Sequence, residues 1–128
     1  MPYLLDTSVA IPLRDHDPDV VRKLRGLRGD VTISVVTLVE LEGGVHRDPA
    51  DAARRQARLD AMMTGIVALP FEPADAQTYG MIVRAAGFSR RKVLDRMIAA
   101  QAILRGATLV TLNPGDFSDV ANLRLLAL

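Results

Sequence analysis

The chain has 128 residues, 49% hydrophobic and 24% charged, with a formal net charge of +1 and no cysteine. That length suits a single domain, 1–128, able to bury its own core without disulfides or a structural metal. The missing thiols exclude disulfide scaffolds, zinc–thiolate sites and cysteine nucleophiles, and leave His16 and His46, both in polar surroundings that read as surface, as the sole imidazoles.

The near-neutral total conceals an uneven distribution. All but two of the 16 basic residues are arginine, with clusters at Arg22-Lys23-Arg25-Arg28, Arg54-Arg55-Arg58 and Arg90-Arg91-Lys92. Guanidinium forks suit phosphate, but such runs also form ordinary solvated helix faces, and the runs alone favour the second reading. The apolar N-terminal run meets Asp6 too early for a signal peptide or a membrane span, so a cytoplasmic protein with no membrane partner is expected.

In chain order, Tyr3 to Leu5 reads as a strand that hands over at Asp6-Thr7-Ser8 to a helix capped by one of those three. Asp17-Pro18 opens a helix through Leu27 that ends near Gly29, and Val31 to Ile33 is a second strand. Ser34 caps a helix over Val35 to Val45, and Asp48-Pro49 opens another that reaches Met63 and stops at Gly65. Ile66 to Leu69 is strand three. Pro73 opens a helix closed by Gly87, Asp95 opens a fifth closed by Gly106, Thr108 to Leu112 is a β-rich strand, and Leu123 to Leu126 is a last one. This alternation, with near-continuous apolar strands, indicates an α/β sandwich with a parallel sheet covered on both faces. In such sheets the ligand crevice lies beyond the carboxyl ends of the strands, where strand order reverses.

Four acids occupy the element boundaries or apolar stripes that such a crevice would draw on. Asp6 follows strand one, with the hydroxyls of Thr7 and Ser8 beside it; alone, it is equally well read as a helix cap. Glu40 shares a helical face with Val36 and Gly43, while Glu42 lies about 200° around the axis and cannot face the same cleft. Asp95 heads a helix that is apolar nearly all round, on the face of Ile98, Ala99 and Ala102, where the helix dipole would favour its charge. Asp116 lies in the turn Asn113-Pro114-Gly115-Asp116, ordinary turn chemistry when read by itself. If the four converge, their repulsion calls for a cation, and hard oxygen ligands suit Mg²⁺ or Mn²⁺. No glycine-rich phosphate loop and no Gly-x-Ser-x-Gly elbow is present.

Taken together, LLDTSV, TLVELEGG, LDRMIAAQA and TLVTLNPGDF resemble, over essentially the whole chain, the PIN domains of type II toxin–antitoxin systems, the VapC-like ribonucleases. The resemblance implies a PIN-like sandwich with strand order 3-2-1-4-5, which places Asp6 and Asp116 at one switch point. It implies an acidic catalytic set of Asp6, Glu40, Asp95 and Asp116, with Asp6, Asp95 and Asp116 on the metal and Thr7, Ser8 and Asn113 as supporting polar groups. It further implies magnesium-dependent endoribonuclease activity on an RNA substrate, a cognate antitoxin protein, operator DNA contacted only through the antitoxin complex, and a homodimer. Leu123 to Leu128 or the helix from Arg54 to Met63 could contribute to that dimer.

Many relatives carry a Gly-Pro-containing loop before the third acid, whereas here Gly87-Phe88-Ser89 runs into Arg90-Arg91-Lys92. Next to an acidic cleft, these three cations and Arg96 are expected to bind RNA phosphates. The competing readings are a catalytically silent PIN-like module that binds RNA or protein, which the presence of all four acids argues against, and a phosphoacceptor domain, which lacks an acidic pair after strand one.

Overall fold

Leu4 and Leu5 point to opposite sides of one strand and both are fully buried, so the sheet that holds them is covered on both faces. The computed structural model describes residues 2–128. Within them β1 (Tyr3–Leu5), β2 (Val31–Ser34), β3 (Val67–Leu69), β4 (Thr108–Thr111) and β5 (Arg124–Ala127) form one sheet, ordered β3-β2-β1-β4-β5, with every pairing parallel. This is the order 3-2-1-4-5 expected from the resemblance.

Parallel neighbours need crossovers, and helices supply them: α1 (Thr7–Arg14), α2 (Pro18–Arg25), α3 (Val35–Val45), α4 (Ala52–Met63), α5 (Pro73–Ala86) and α6 (Val93–Arg105). Leu4 and Leu109 pack with Ile82 of α5 and Ile98, Ala99 and Ala102 of α6. On the other face, Leu5, Ile33 and Val110 pack with Val9 of α1, Val20 of α2, Leu41 and Val45 of α3 and Leu59 of α4. Among the described residues no helix is long and apolar enough to cross a membrane.

The caps follow local chemistry. The side chain of Asp6 accepts from Val9 N at the start of α1, that of Asp17 from Asp19 N and Val20 N at α2, and that of Ser34 from Val36 N at α3. At the end of α6, Gly106 adopts a left-handed conformation (φ 63°) open to glycine at little cost.

Several boundaries differ from the sequence reading. Helix α2 ends at Arg25 rather than Leu27, because the chain tightens at Gly26, whose N–H turns back to Lys23 O. Helix α4 starts at Ala52, three residues after Pro49: Asp48 accepts from Ala50 N (3.1 Å) and closes a separate exposed turn, so its capping signature is satisfied before the helix begins. Strands three, four and five occupy Val67–Leu69, Thr108–Thr111 and Arg124–Ala127, each within a residue of its expected bounds. Asp95 does not open α6 but is its third residue, since a 3₁₀ turn over Arg90–Lys92 feeds directly into the helix and no side chain caps it.

Helix α6, which carries Asp95, is held at both ends. Near its C-terminus Arg105 Nη1 donates to Asp75 Oδ1 on α5 (2.5 Å), and Gln101 Nε2 donates to Leu69 O (3.3 Å) and Pro70 O (3.1 Å). Near its N-terminus Arg96 Nη1 donates to Gly87 O (2.6 Å). Asp75 is wholly buried; burial acts to raise its pKa, but the Arg105 guanidinium and the Glu72 backbone N–H hold it below the usual carboxylate range.

Removing one member of such a pair leaves a buried charge without compensation. Arg105→Ala is expected to cost about 2–3 kcal/mol in urea unfolding, against under ~0.5 kcal/mol for the exposed Arg124→Ala. Equal costs for the two variants would show that the Asp75 pair does not hold α5 to α6.

Candidate active site

The parallel register sets Leu5 opposite Val110, and the ladder runs one residue further through a bond from Asp6 N to Val110 O (3.0 Å). The next pair along, Asp6 and Thr111, therefore lies side by side at the carboxyl end of the sheet. Thr111 Oγ1 donates to Asp6 Oδ2 (2.7 Å), and Ser8 Oγ donates to Asp6 Oδ1 (2.5 Å), which also accepts from Val9 N (3.3 Å). Both carboxylate oxygens are thus engaged, and Asp6 is 4% exposed. Burial pushes its pKa above the usual range, against the lowering effect of the Ser8, Thr111 and backbone hydrogen bonds.

Glu40 arrives from α3. Thr7 Oγ1 donates to Glu40 Oε1 (2.7 Å) and lies 3.1 Å from Thr37 Oγ1, which is buried. Glu40 is half-buried and lines a cleft with Thr7, while Glu42 is exposed on the far side of the helix, as helical phase requires. Asp95 and Asp116 line a neighbouring recess of about 290 Å³ together with Arg91 and Lys92. Asp116 is exposed, in a 3₁₀ turn over Pro114–Phe117.

The four carboxylates converge electrostatically. Asp95 has its pKa pushed up to about 6, first by burial and then by the charges of Asp116, Asp6 and Glu40, with Lys92 partly offsetting them. The dipole at the start of α6 does not keep this carboxyl in the ordinary range, because desolvation and three like charges outweigh it. Among the described residues no three acids or histidines are close enough to hold a metal ion as they stand. The donor set fits a divalent cation all the same: it consists of hard oxygens, its strained member is relieved by positive charge, and Mg²⁺ is commonly held by one or two carboxylates and several waters.

The supporting polar groups differ in part from expectation. Thr7 and Ser8 bond Glu40 and Asp6, but Asn113 contributes only its backbone N–H, to Thr111 Oγ1 (2.9 Å). Thr111 takes the place expected of Asn113. Ser8 Oγ also accepts from Leu112 N (3.0 Å), closing a hydroxyl network under Asp6. The alternation of Thr108-Leu109-Val110-Thr111 marks Thr111 as a strand residue, but only the β1–β4 register brings it to Asp6.

The cationic rim also divides. Arg90 and Arg91 are exposed, and their side chains make no hydrogen bond or ion pair with any described residue. Arg96, expected on that rim, is 2% exposed and points away from it, donating to Gly87 O and to Asp119 Oδ2 (2.8 Å). One residue along a helix turns the side chain by about 100°, so Arg96 cannot share the cleft-facing side of Asp95. Lys92 also pairs with Asp119 (2.9 Å), and the two cations hold the Asp119 carboxyl down at about 2.

Residues 3–123 match the PIN domain family, and the chain belongs to it, in its VapC-like branch. Among its relatives, the tRNA(fMet)-specific endonuclease VapC of Shigella flexneri is 33% identical over 125 residues, covering 95% of this chain and 94% of that protein. Among solved structures, that of VapBC2 from Rickettsia felis bound to a promoter DNA fragment superposes with a TM-score of 0.87 at 27% identity, covering 100% of this chain and 99% of the matched one. VapBC-5 from Mycobacterium tuberculosis, a member of the VapBC family of toxin–antitoxin systems, superposes with a TM-score of 0.73 at 26% identity over 99% of this chain and 98% of the matched one.

Two measurements check the site as built. In metal-free protein, NMR titration of the Asp95 carboxyl should give a midpoint of about 6, and Asp116→Asn should lower it by removing a like charge. Because this folded-state pKa is raised, the stability penalty is absent below about pH 4, where Asp95 is neutral in both states, and grows until pH passes 6. An Asp95 midpoint near 4 that ignores Asp116→Asn would mean the acids do not converge. Thr111→Val should free Asp6 Oδ2 and weaken divalent-ion binding about tenfold, as loss of a group that orients a ligand does; unchanged affinity would remove Thr111 from the site.

Proposed function

We propose that this protein is a divalent-metal-dependent endoribonuclease, the toxin of a VapBC-type toxin–antitoxin pair. The observation that carries the reading is the set of like charges gathered on Asp95 by Asp116, Asp6 and Glu40, in a PIN-family chain whose relatives are named ribonucleases and endonucleases. Asp6, Asp95 and Asp116 would hold the ion, with Mg²⁺ as the first candidate and Mn²⁺ the second. Bound there, a divalent ion supplies charge neutralisation and Lewis acidity toward a phosphoryl oxygen.

The chain's own groups do the rest. Glu40 has Oε1 occupied by the Thr7 hydroxyl, which leaves Oε2 to orient an attacking water and accept its proton. Ser8 and Thr111 fix the rotamer of Asp6 so that its oxygens need no reorganisation during reaction. Arg91, free of partners in the recess that holds Asp95 and Asp116, is placed to meet the phosphate approaching them. In-line attack by water leaves a 5′-phosphate and a 3′-hydroxyl; no histidine and no 2′-hydroxyl enters the scheme.

Single-stranded or loop RNA is the favoured substrate, since bases there can be splayed out. Phe88 is the one aromatic at the basic rim, 72% exposed, so backbone contacts should outweigh stacking. A cognate antitoxin, with operator DNA contacted through the complex, is proposed from the VapBC structures to which this fold is similar, and a second copy of the chain is proposed as a further partner on family likeness alone.

The test is cleavage of end-labelled RNA with Mg²⁺, then with excess chelator. Cutting should require the ion and yield 5′-phosphate ends; cyclic 2′,3′-phosphate ends or chelator-resistant cutting by purified protein would overturn the mechanism. Asp95→Asn should abolish cleavage, a loss of at least about 10²-fold, while raising the melting temperature of metal-free protein at pH 7, because it removes the most strained charge. RNA bound but never cut by the wild type would favour the silent-module reading.

A further inference from the structure

Beside Glu40, and sharing no lining residue with the recess of Asp95 and Asp116, a cavity of about 580 Å³ opens between α1, α3 and α4. Thr7 and Glu40 form one wall; Arg14, Asp15, Arg47 and Arg55 line it further out. Arg14 is 5% exposed and committed to Asp15, through Nε (3.1 Å) and Nη2 (3.3 Å). Arg55 Nη1 donates to Gly44 O (3.1 Å), and its Nη2 lies 3.8 Å from Asp51. Arg47, exposed on the turn after α3, is tied by its backbone N–H to Gly44 O (3.4 Å), but its side chain makes no hydrogen bond or ion pair with any described residue.

Three guanidiniums thus face two carboxylates, one of which, Glu40, belongs to the reacting centre. The surplus is felt at Asp15, whose pKa is lowered by the Arg14 hydrogen bond first, and by the charges of Arg14, Arg55 and Arg58 beyond the opposing effect of burial. The carboxylate centre is therefore flanked by cations on two sides, Arg91 and Lys92 beyond Asp95 and Asp116, and Arg47 and Arg55 beyond Glu40. A polyanion drawn across four carboxylates is repelled at the middle and needs positive charge on both flanks.

Resting on the ribonuclease reading above, we infer that this recess binds the phosphodiester backbone of the substrate RNA on the Glu40 side of the scissile bond, with Arg47 as its principal contact and Arg55 as the second. Guanidinium forks match phosphate oxygens in pairs. An inserted amphipathic helix is the weaker fit, because that mode relies on apolar anchoring pockets and the one hydrophobic residue lining this recess is Ile11.

The experiment measures steady-state cleavage of bulk tRNA and of a mixed-sequence single-stranded RNA by wild type, Arg47→Ala, Arg47→Glu and Arg55→Ala, with Arg84→Ala as an exposed control on α5. Arg47→Ala should raise KM about tenfold with kcat within about threefold, and its binding to RNA should show a log–log salt slope shallower by about 0.7, the value for one single-strand phosphate contact. Arg47→Glu should do more, and Arg84→Ala should match wild type. The Arg47 side chain bonds to no described residue, and the backbone bond to Gly44 O survives substitution, so its variants test the recess without disturbing the fold. Wild-type cleavage with unchanged KM and salt slope in both Arg47 variants would overturn the inference while leaving the nuclease reading intact. Lost binding of an acidic antitoxin segment with RNA kinetics unchanged would assign the recess to a protein instead. No cleavage by the wild type would remove the nuclease reading and this inference with it.

Discussion

The parallel pairing of β1 with β4 is the constraint on which the rest of the molecule depends. It joins residues more than a hundred positions apart and extends one step past the strand ends, where Asp6 N reaches Val110 O and Thr111 Oγ1 reaches Asp6 Oδ2. Because β1 also pairs with β2, the chain must leave the sheet in opposite directions from the two sides of β1, and the gap between those exits is the crevice. Helix α1 starts in that gap, which is why Asp6 serves as its cap and as a member of the acidic set together. The capping role and the proposed metal role do not compete: the cap uses Oδ1 and the geometry it enforces is what aims the carboxylate.

Around that point the chemistry is arranged to keep like charges together without letting them neutralise. Hydroxyls from Ser8 and Thr111 hold Asp6, and Thr7 holds Glu40, so the acids nearest the sheet keep hydrogen-bond partners that carry no charge. Asp95 has no such partner among the described residues and takes the consequence, a pKa near 6. A carboxyl in that condition gains more than its neighbours from an incoming cation, since the cation relieves both its desolvation and its repulsion. The net charge of +1 says nothing of this; what matters is that the negative charge is central and the positive charge is peripheral.

Much of this was legible in the sequence wherever a residue's role is set by its immediate neighbours. Asp17 and Ser34 cap their helices because capping is decided within three residues, and Glu40 could be preferred to Glu42 because helical phase is. Two competing local signals leave a boundary undecided. Asp48-Pro49 looks like a helix start, but Asp51 stands three residues later and the helix takes the second opportunity. Asp95 looks like a cap until the 3₁₀ turn before it is known. Arg96 adjoins Asp95 in sequence, yet helical rotation places it on the buried side. Thr111 and the recess of Arg14, Arg47 and Arg55 could not be found at all, because their meaning arises from strand register and from three helices packing together.

The arginines show most clearly how one residue type is divided between architecture and chemistry. Arg105 and Arg96 are anchors, each tied to an acid outside the acidic set, and between them they fix both ends of the helix that carries Asp95. Arg91 shares a recess with Asp95 and Asp116, yet among the described residues it forms no ion pair with either. Lys92, next in sequence, is drawn off to Asp119 and tempers Asp95 only through space. Were Lys92 to close on Asp95, the centre would neutralise itself, and its affinity for an external cation would fall with the charge it lost. By holding Lys92 and Arg96 together, Asp119 ties down the start of α6 and keeps the Lys92 ammonium paired outside the acidic set.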